Sequence, residues 1–471
     1  MYYPTWSGSF VALNYKTCKV LFEISIPDTI EKFMPQSKMQ KMLLFQAARA
    51  SPVASGNVVF IGTQGNALML AIDKNSGKAL DAIQLNPHQF AVVSMSATVY
   101  NKRIFVGAAS REEAAARGIP GYKCCSFVAN MVALDFDVTK NKFSVAWNTS
   151  MLPLDTEWSG SALWGSQPSI DAMRNQVFIA TGNVYSLPKS AEACRNRTMS
   201  RGVSSNVCQP KNVYQESVLA LDMKTGNVNW INQLSALDAW TAACGFGGSL
   251  QKPNATRLPP PNCPYNPGPD ADFGMMPTFV KGGSGTPNGS DTVVVGQKNG
   301  NLYALSASNG HTAWATLTSP DGNIGGLIWG IAVDDQQVYF TAVNSALKQF
   351  TLEPQGRNIS NSAFGAASLK TGSIMWETQS PNGSFSIMLP TVVNDVVLFG
   401  RTGNGQMIVS NYDKTPGGLI PVQKSTGKIL KDYNLDANFH GGIAIQNQYL
   451  MFGTGYEAPY AGKGSFNVWT A

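Results

Sequence analysis

Short runs of alternating apolar and polar residues, each ended by a tight turn, recur along the chain. The clearest copies read ALDMKTGNVNW at 220–230, ALSASNGHTAW at 304–314 and AASLKTGSIMW at 366–376. The alternation predicts β-strands, because successive side chains of a strand point to opposite faces of its sheet. The polar segment ending in glycine predicts a turn in which glycine supplies a positive φ. Each copy therefore predicts two antiparallel strands joined by a hairpin.

Weaker copies extend the pattern over the rest of the chain. They begin near residues 12, 71, 133 and 422, and a partial copy lies at 449–456. The tryptophan that ends the strong copies, such as Trp230, has the size and flatness to fill the seam between neighbouring sheets. Repetition at intervals of about 55–90 residues is typical of a ring of small antiparallel sheets. The sequence thus predicts an all-β protein, an eight-bladed β-propeller forming a single domain over 1–471.

Composition agrees with a turn-rich β protein and excludes some functions. The 471 residues include 45 glycines and 26 prolines, which suit many turns. The net charge of +6 is not concentrated in a basic cluster, which gives little support to nucleic-acid binding. No run of 18 apolar residues occurs, so the sequence predicts no membrane span.

Two segments without periodicity interrupt the repeats, at 186–215 and 235–275. We expect both to be loop insertions on one face of the propeller, because long loops kept in a compact domain are usually functional. Disulfides stabilise such loops in proteins outside the cytosol. Each insertion contains a pair of cysteines that we predict to be bonded: Cys194 with Cys208, and Cys244 with Cys263.

Glycosylation sequences point to the same compartment. Six Asn-x-Ser/Thr triplets lie in or beside predicted loops: Asn148, Asn196, Asn254, Asn288, Asn358 and Asn382. Together with the cysteines they predict a secreted glycoprotein. No signal peptide precedes the strand pattern that follows Met1, and the first blade lacks its opening strand. We therefore expect an N-terminal truncation in the blade that closes the ring.

The repeats resemble those of the pyrroloquinoline-quinone (PQQ) dehydrogenases, eight-bladed quinoproteins that oxidise alcohols. Within that superfamily the chain most resembles polyvinyl-alcohol dehydrogenase-like proteins, including the secreted plant type, over essentially its whole length. The more specific segments are ALWGSQPSIDAMRNQVFIATGN at 162–183, NPGPDADFG at 266–274, VVVGQKNGNLYAL at 293–305 and GGLIWGIAVD at 325–334. The resemblance implies a PQQ- and Ca²⁺-dependent oxidoreductase that converts a secondary or polymeric alcohol to a carbonyl. The electron acceptor would be external, because the sequence has no Cys-x-x-Cys-His haem motif.

The resemblance implies a cofactor and metal site. Trp164 resembles the indole on which the quinone lies, and a flat indole suits a planar cofactor. Asn183 resembles a calcium ligand, and its amide oxygen is a hard donor suited to Ca²⁺. Glu113 is the expected second ligand, although the adjacent Glu112 is indistinguishable from it in sequence. The alternatives are a packing tryptophan, a turn asparagine and solvated glutamates.

Further cofactor contacts are implied at two places. The adjacent Cys124 and Cys125 are similar to the vicinal disulfide that several PQQ dehydrogenases hold against the quinone, although that pair sits a blade earlier in the family. Either cysteine could instead pair elsewhere, or both could stay reduced. Trp329, in GGLIWGIAVD, is the other expected cofactor contact.

The catalytic candidates are Lys298 and Gln297. Alcohol-oxidising members carry Asp-Arg-Asn-Gly at the corresponding strand end, and the Asp is the proposed general base. Lys298 can replace the arginine as a cation near the quinone oxygens. Gln297 cannot replace the base, because an amide is not basic enough. A carboxylate of the DADFG loop, Asp270 or Asp272, could supply it instead.

Two points remain open in the sequence. Of the three histidines, His88 and His440 could face the propeller axis, whereas His311 lies in a repeat turn. The missing Asp also allows a second function, a non-catalytic scaffold or binding propeller like the outer-membrane assembly proteins with similar repeats. The retained Trp164 to Asn183 segment and Lys298 favour the dehydrogenase.

Overall fold

The described chain forms eight small antiparallel sheets. The computed structural model describes residues 1–245, 260–403, 416–455 and 464–470. Compactness divides the chain into two units, the first containing Met1–Asn14 and Lys19–Met276, the second Tyr15–Cys18 and Pro277–Ala471. Among the described residues, each unit contains four sheets of three or four strands. These sheets are the blades of an eight-bladed β-propeller, which confirms the predicted fold class.

The first unit contains blades 1 to 4. Blade 1 consists of β1 (Tyr2–Pro4), β2 (Ser9–Asn14) and β3 (Lys19–Ser25). Blade 2 consists of β4 (Val53–Ser55), β5 (Val58–Gly62), β6 (Leu68–Asp73) and β7 (Ala79–Gln84). Two-stranded ribbons lie between later blades, β8 (Ala91–Val92) with β11 (Ala109–Ser110), and β14 (Ser159–Gly160) with β17 (Val184–Ser186). Blade 3 consists of β9 (Thr98–Tyr100), β10 (Arg103–Gly107), β12 (Asn130–Asp137) and β13 (Lys142–Ser150), and blade 4 of β15 (Ser169–Asp171), β16 (Gln176–Ala180), β18 (Ser217–Asp222) and β19 (Val228–Gln233).

The second unit contains blades 5 to 8. Blade 5 consists of β20 (Thr278–Val280), β21 (Thr292–Gly296), β22 (Asn301–Ser306) and β23 (Thr312–Leu317). Blade 6 consists of β24 (Ala332–Val333), β25 (Gln337–Ala342), β28 (Ala363–Ser368) and β29 (Ile374–Gln379), with a ribbon of β26 (Phe350–Leu352) and β27 (Arg357–Ile359). Blade 7 consists of β30 (Thr391–Val393), β31 (Val396–Arg401), β32 (Gly418–Gln423) and β33 (Tyr433–Asn434), and blade 8 of β34 (Ala444–Gln446), β35 (Tyr449–Gly453) and β36 (Phe466–Thr470).

Four α-helices lie in connections of the first unit: α1 (Ile26–Phe33), α2 (Lys38–Leu43), α3 (Glu112–Gly118) and α4 (Lys189–Ser200). The first begins where Ser25 Oγ accepts from the backbone N–H of Asp28 at 3.2 Å, which caps its N-terminus. The fourth lies inside the 186–215 insertion, where the sequence predicted only a loop. Its residues KSAEACRNRTMS form no apolar stripe, so hydrophobic periodicity could not reveal it.

At four seams within the units, an aromatic ring of one blade packs on a turn glycine of the next. Trp147 Nε1 donates to the backbone carbonyl of Met223 at 3.0 Å, and its ring covers Gly226. A Cβ at Gly226, where φ is +75°, would lie 2.6 Å from the ring, so only glycine permits the contact. This confirms the predicted seam role of the repeat tryptophan.

The same docking recurs within the second unit. Trp314 packs on Gly372 and donates to a backbone carbonyl at 2.9 Å, and Trp376 does the same with Gly427. In blade 1 the ring is Phe22, which lies against Gly77. Cys18 stands in the glycine position of the first turn and has a φ of 55°, a left-handed conformation like that of the turn glycines in the other copies.

The predicted disulfides are present in the insertions. Cys194 and Cys208 are bonded with their Cα atoms 5.7 Å apart, and Cys244 and Cys263 with theirs 4.9 Å apart. Cys124 and Cys125 are also joined to each other. Within the described residues no helix combines the length and apolar character that a membrane crossing requires.

The ring-and-turn docking generates a stability prediction. Trp147→Ala removes a buried ring and a hydrogen bond, so we expect the free energy of unfolding to fall by about 3–5 kcal/mol. Trp147→Phe keeps most of the ring and loses the indole N–H, so we expect a loss of about 1–2 kcal/mol. Urea unfolding followed by circular dichroism measures both, and equal losses in the two variants would contradict the packing role.

Candidate functional site

A buried carboxylate in the first unit brings two predicted site residues together. Asp272 Oδ2 accepts from Trp164 Nε1 at 3.2 Å, and Asp272 Oδ1 accepts from the backbone N–H of Asn183 at 2.6 Å. Asp272 and Asn183 are buried, and Trp164 is half-buried. Asp272 is one of the two loop carboxylates that the sequence offered as a base. The sequence did not reveal that it also binds Trp164 and Asn183.

Glycines allow three chain segments to meet at this carboxylate. Asn183 follows β16, Trp164 follows β14, and Asp272 lies in the second insertion. A Cβ at Gly182 would overlap Asp272 Oδ1, and a Cβ at Gly165, where φ is +99°, would overlap the carbonyl of Gly274. The backbone can therefore approach this closely only because both positions are glycine.

Asn183 presents an unused acceptor. Its Nδ2 donates to the carbonyls of Trp240 at 2.9 Å and Val184 at 3.0 Å, which fixes the amide orientation. Its Oδ1 is buried and has no hydrogen-bond partner among the described residues. Buried acceptors are normally satisfied, so this unused amide oxygen has the character of a ligand atom.

Ser161 is a neighbouring group that the sequence reasoning missed. Its backbone N–H donates to the carbonyl of Asn183 at 2.7 Å, and its Oγ is buried without a hydrogen-bond partner in the described chain. The residue has a φ of 56°, which is uncommon for a non-glycine residue and marks a constrained backbone. The signal lies in this backbone conformation, which a single sequence does not disclose.

The structure separates the two adjacent glutamates on α3. Glu112 is fully buried, and its oxygens accept from Tyr122 Oη at 2.6 Å and from the N–H groups of Ser126 and Phe127 at 2.9 and 2.8 Å. Burial alone would raise the pKa of Glu112, but hydrogen bonds from His88 and Tyr122 outweigh it and lower that pKa. Glu112 therefore has a structural role.

Glu113 is half-buried. Like Asp272, it acts electrostatically on the buried Tyr185. Burial, followed by the charges of Glu113 and Asp272, raises the pKa of Tyr185 well above its ordinary value. Tyr185 stacks on Phe127 with ring centroids 6.2 Å apart. Both carboxylates therefore act on one buried phenol, which the sequence reasoning had not singled out.

The joined cysteines contact the segment that carries Asp272. The backbone N–H of Cys124 donates to Asn262 Oδ1 at 3.3 Å. Asn262 Nδ2 in turn donates to the carbonyls of Tyr122 at 2.8 Å and Ala116 at 3.0 Å. Asn262 thus links the cysteine pair and α3 to the second insertion.

Of the three histidines, His88 has a structural position and His311 a solvated one. His88 Nδ1 accepts from the backbone N–H of Phe90 at 3.2 Å, and its Nε2 lies 3.4 Å from Glu112 Oε1. His88 therefore orients the buried Glu112. His311 is exposed in its repeat turn, as predicted. His440 is half-buried in the second unit.

The other predicted residues belong to the second unit. Gln297 is fully buried, and its Oε1 accepts from Asn299 Nδ2 at 2.7 Å and Tyr303 Oη at 3.1 Å. Lys298 is 6% exposed. A Cβ at Gly326 would overlap the backbone carbonyl of Lys298. Gln297 and Lys298 therefore sit in a tightly packed strand end.

Trp329 also lies in the second unit, half-buried and with a φ of 73°. A left-handed backbone at a tryptophan is uncommon, and such conformations concentrate at functional sites.

The described residues contain no group of three histidine, cysteine or carboxylate side chains placed to hold a metal ion. A metal at this site would therefore require the amide oxygen of Asn183 beside a carboxylate. Hard oxygen donors of this kind suit Ca²⁺ better than a transition metal.

The chain is similar to two groups of known proteins. A family model described as outer membrane protein assembly factor BamB matches residues 214–448. A polyvinylalcohol dehydrogenase of Pseudomonas sp is 28% identical over 57% of this chain and 37% of its own length. Another polyvinylalcohol dehydrogenase, from Sphingopyxis sp. (strain 113P3), is 26% identical over 77% of this chain and 50% of its own length. The chain thus spans at most half the length of these curated relatives.

A solved structure supports the fold. The quinohemoprotein alcohol dehydrogenase ADHIIG of Pseudomonas putida HK5 superposes with a TM-score of 0.64 at 14% identity, covering 95% of this chain and 67% of that one. At this identity the likeness concerns the fold alone. The chain thus has the β-propeller fold of a quinohemoprotein alcohol dehydrogenase, and its sequence is similar to those of polyvinylalcohol dehydrogenases.

Proposed function

We propose that the protein is a PQQ- and Ca²⁺-dependent dehydrogenase that oxidises a secondary or polymeric alcohol to a carbonyl. The observation that carries the proposal is the junction at Asp272, where Trp164 and Asn183 meet one carboxylate and Asn183 keeps a buried, unused oxygen. The printed names of the relatives supply the substrate class.

The residues at the junction fit the implied groups. Asn183 Oδ1 and the carboxylates of Asp272 and Glu113 would hold Ca²⁺, which prefers several hard oxygen ligands. Trp164 would supply the indole face, and the joined Cys124 and Cys125 a further cofactor contact. Lys298 and Trp329 belong to the second unit and enter the proposal as cofactor contacts by resemblance alone.

PQQ, when bound, would accept the two electrons and the hydrogen that leave the alcohol carbon. The protein must then remove the hydroxyl proton, and Asp272 is the residue proposed to accept it. The N–H groups of Trp164 and Asn183 each donate to one oxygen of Asp272, so the carboxylate is fixed in position. This assignment supplies the base that Gln297 cannot provide.

Lys298 would stabilise negative charge on the quinone oxygens, because a buried ammonium interacts strongly in a site with little water. Gln297 enters the proposal as the residue that positions Lys298. Its amide oxygen is held by two donors, which fixes the strand end that carries the lysine. Electrons would leave to an external acceptor, because the sequence has no haem-attachment motif.

A second candidate function is a binding scaffold without redox chemistry. The family model described as an outer membrane assembly factor favours it, as does the amide at position 297. A scaffold has no need for an unused buried amide oxygen in a residue whose backbone binds a buried carboxylate, and for that reason we prefer the dehydrogenase.

Loading the purified protein with PQQ and Ca²⁺ tests the choice. We expect a quinone absorption band and reduction of an electron-accepting dye with a secondary alcohol. Asp272→Asn removes the proton acceptor, so kcat should fall about 100-fold or more while the band persists. A folded wild-type protein with no band and no dye reduction would leave only the scaffold, and full activity of Asp272→Asn would place the base elsewhere.

The close approach at Gly182 gives a second test. Gly182→Ala places a methyl group on Asp272 Oδ1 and displaces the carboxylate, so the Kd for Ca²⁺ should rise about tenfold or more. Gly118→Ala is the matched control, because a Cβ there meets no atom within 4 Å. Calorimetric titration of Ca²⁺ into the PQQ-loaded proteins measures the Kd. Equal values for Gly182→Ala and wild type would remove Asp272 from the metal site.

We further propose that the protein is secreted and glycosylated. Two acceptors, Asn288 and Asn382, are exposed in Pro-Asn-Gly-Ser turns with a φ of 53° and 56°. Asn148, by contrast, lies on β13 and accepts from Asn130, and Asn196 lies on α4 and accepts from Asn266. Asn358 accepts from Thr351 on the paired strand, and Asn254 lies outside the described residues.

We therefore expect glycans at Asn288 and Asn382 when the chain passes through a eukaryotic secretory pathway, because a sugar there disturbs no hydrogen bond. Peptide mass spectrometry before and after N-glycosidase treatment measures occupancy, with Asn288→Gln and Asn382→Gln as controls. Glycans at Asn148 or Asn196 with none at these two turns would contradict the assignment.

A further inference from the structure

The first unit also buries three ionisable side chains near the Asp272 junction. Glu216 is fully buried, and Asp238 and Arg195 are each 2% exposed. Burial, followed by the charge of Asp238, raises the pKa of Glu216 well above its ordinary value. Charged groups are rarely buried in this way unless they are paired or serve a purpose.

Asp238 is bonded to both sides of the junction. Its Oδ2 accepts from the backbone N–H of Ala271 at 2.9 Å, and Ala271 lies between Asp270 and Asp272. Its own carbonyl accepts from the N–H of Val184 at 3.1 Å, next to Asn183. One residue therefore fixes the backbone beside Asp272 and the backbone beside Asn183.

The later part of the second insertion, near Gly268, passes directly over the carboxylate of Asp238, which lies at the start of the same insertion. A Cβ at Gly268 would overlap Asp238 Oδ1, so the chain needs glycine there. The N–H of Gly268 donates to the carbonyl of Ala239 at 2.9 Å, which fixes the insertion a second time. The contact between Asp238 and the segment from Gly268 to Ala271 is thus both polar and steric.

Arg195 supplies the opposite charge from α4. Its Nη2 donates to the carbonyl of Asn266, whereas its Nε and Nη1 have no hydrogen-bond partner in the described chain. Its positive charge acts on Asp238. The adjacent Asn196 Oδ1 accepts from Asn266 Nδ2 at 2.7 Å, and the Cys194–Cys208 bond fastens the helix. Helix α4 therefore binds Asn266, at the start of the segment that carries Asp272.

We propose that Asp238, backed by Arg195, is a positioning residue that sets Asp272 against Asn183 and Trp164. A carboxylate bonded to a backbone N–H makes a stronger and more directional contact than a neutral acceptor. Arg195 compensates the buried charge, and without compensation such a charge is costly. The catalytic consequence rests on the proposed function, but the ordering of the 266–275 segment does not.

The first test measures that ordering directly. Asp238→Ala removes the acceptor of the Ala271 N–H, so hydrogen–deuterium exchange of the 266–275 amides should speed up about tenfold or more. Asp238→Asn keeps an acceptor oxygen and should restore most of the protection. Arg195→Met should speed up exchange in the same segment. Unchanged exchange in Asp238→Ala, or equal exchange in the Ala and Asn variants, would overturn the proposal.

Asp81→Ala is the matched control, because it removes a buried carboxylate that has only a structural role. Asp81 is also buried, and its carboxylate accepts from a backbone N–H, that of Phe143, at 2.9 Å. We expect this variant to lose thermal stability like Asp238→Ala while exchange at 266–275 stays at the wild-type rate. Faster exchange at 266–275 in Asp81→Ala would show that the loss of any buried carboxylate has this effect, and it would overturn the assignment.

Kinetics of the PQQ-loaded protein complete the experiment. Asp238→Ala should lower kcat about tenfold or more with little change in KM, and Asp238→Asn should recover most of kcat. If kcat is unchanged while exchange rises, Asp238 does not position Asp272 for catalysis. If the wild type neither binds PQQ nor reduces the dye, the proposed function fails, and the exchange comparison still decides whether Asp238 orders the segment.

Discussion

The contact between an aromatic ring and a turn glycine holds neighbouring blades together. Trp147 covers Gly226, and Phe22 covers Gly77, each at a distance that excludes a Cβ. The indole N–H also satisfies a backbone carbonyl of the turn, so the ring fixes orientation as well as distance. Where neighbouring blades make this contact, the repeat must keep both the ring and the glycine. The end of β16, which Asn183 follows, belongs to this frame.

The chemistry depends on a segment that the repeats do not specify. Asp272 comes from the second insertion and reaches the end of β16 because Gly182 leaves room for it. Asn262, in the same insertion, reaches Cys124 and α3. Regular blades thus provide the frame, while one irregular segment connects the carboxylate, the indole and the cysteine pair. This division of labour is common in proteins whose function lies on loops held by a rigid scaffold.

The buried charges of the first unit distinguish this propeller from a simple packing frame. Burying Glu216, Asp238 and Arg195 costs free energy that apolar residues of similar size would avoid. Such a cost is tolerated where polar groups must hold a segment in one arrangement. Here Asp238 holds the backbone beside Asp272 and the backbone beside Asn183. The amide at position 297 weakens the likeness to alcohol-oxidising members, but a carboxylate supplied by the insertion compensates for it in our proposal.

The sequence by itself determined the blades, because alternation, turn glycines and docking rings are local patterns that repeat. It also determined the disulfide pairs, since two cysteines in each aperiodic insertion have few alternatives. It could not distinguish Glu112 from Glu113, because that choice depends on which side chain meets the N–H groups of Ser126 and Phe127. It could not foresee α4, which has no apolar stripe, or the meeting of Trp164, Asn183 and Asp272. Those residues are brought together by the crossing of separate loops, and only the packed backbone decides which loops cross.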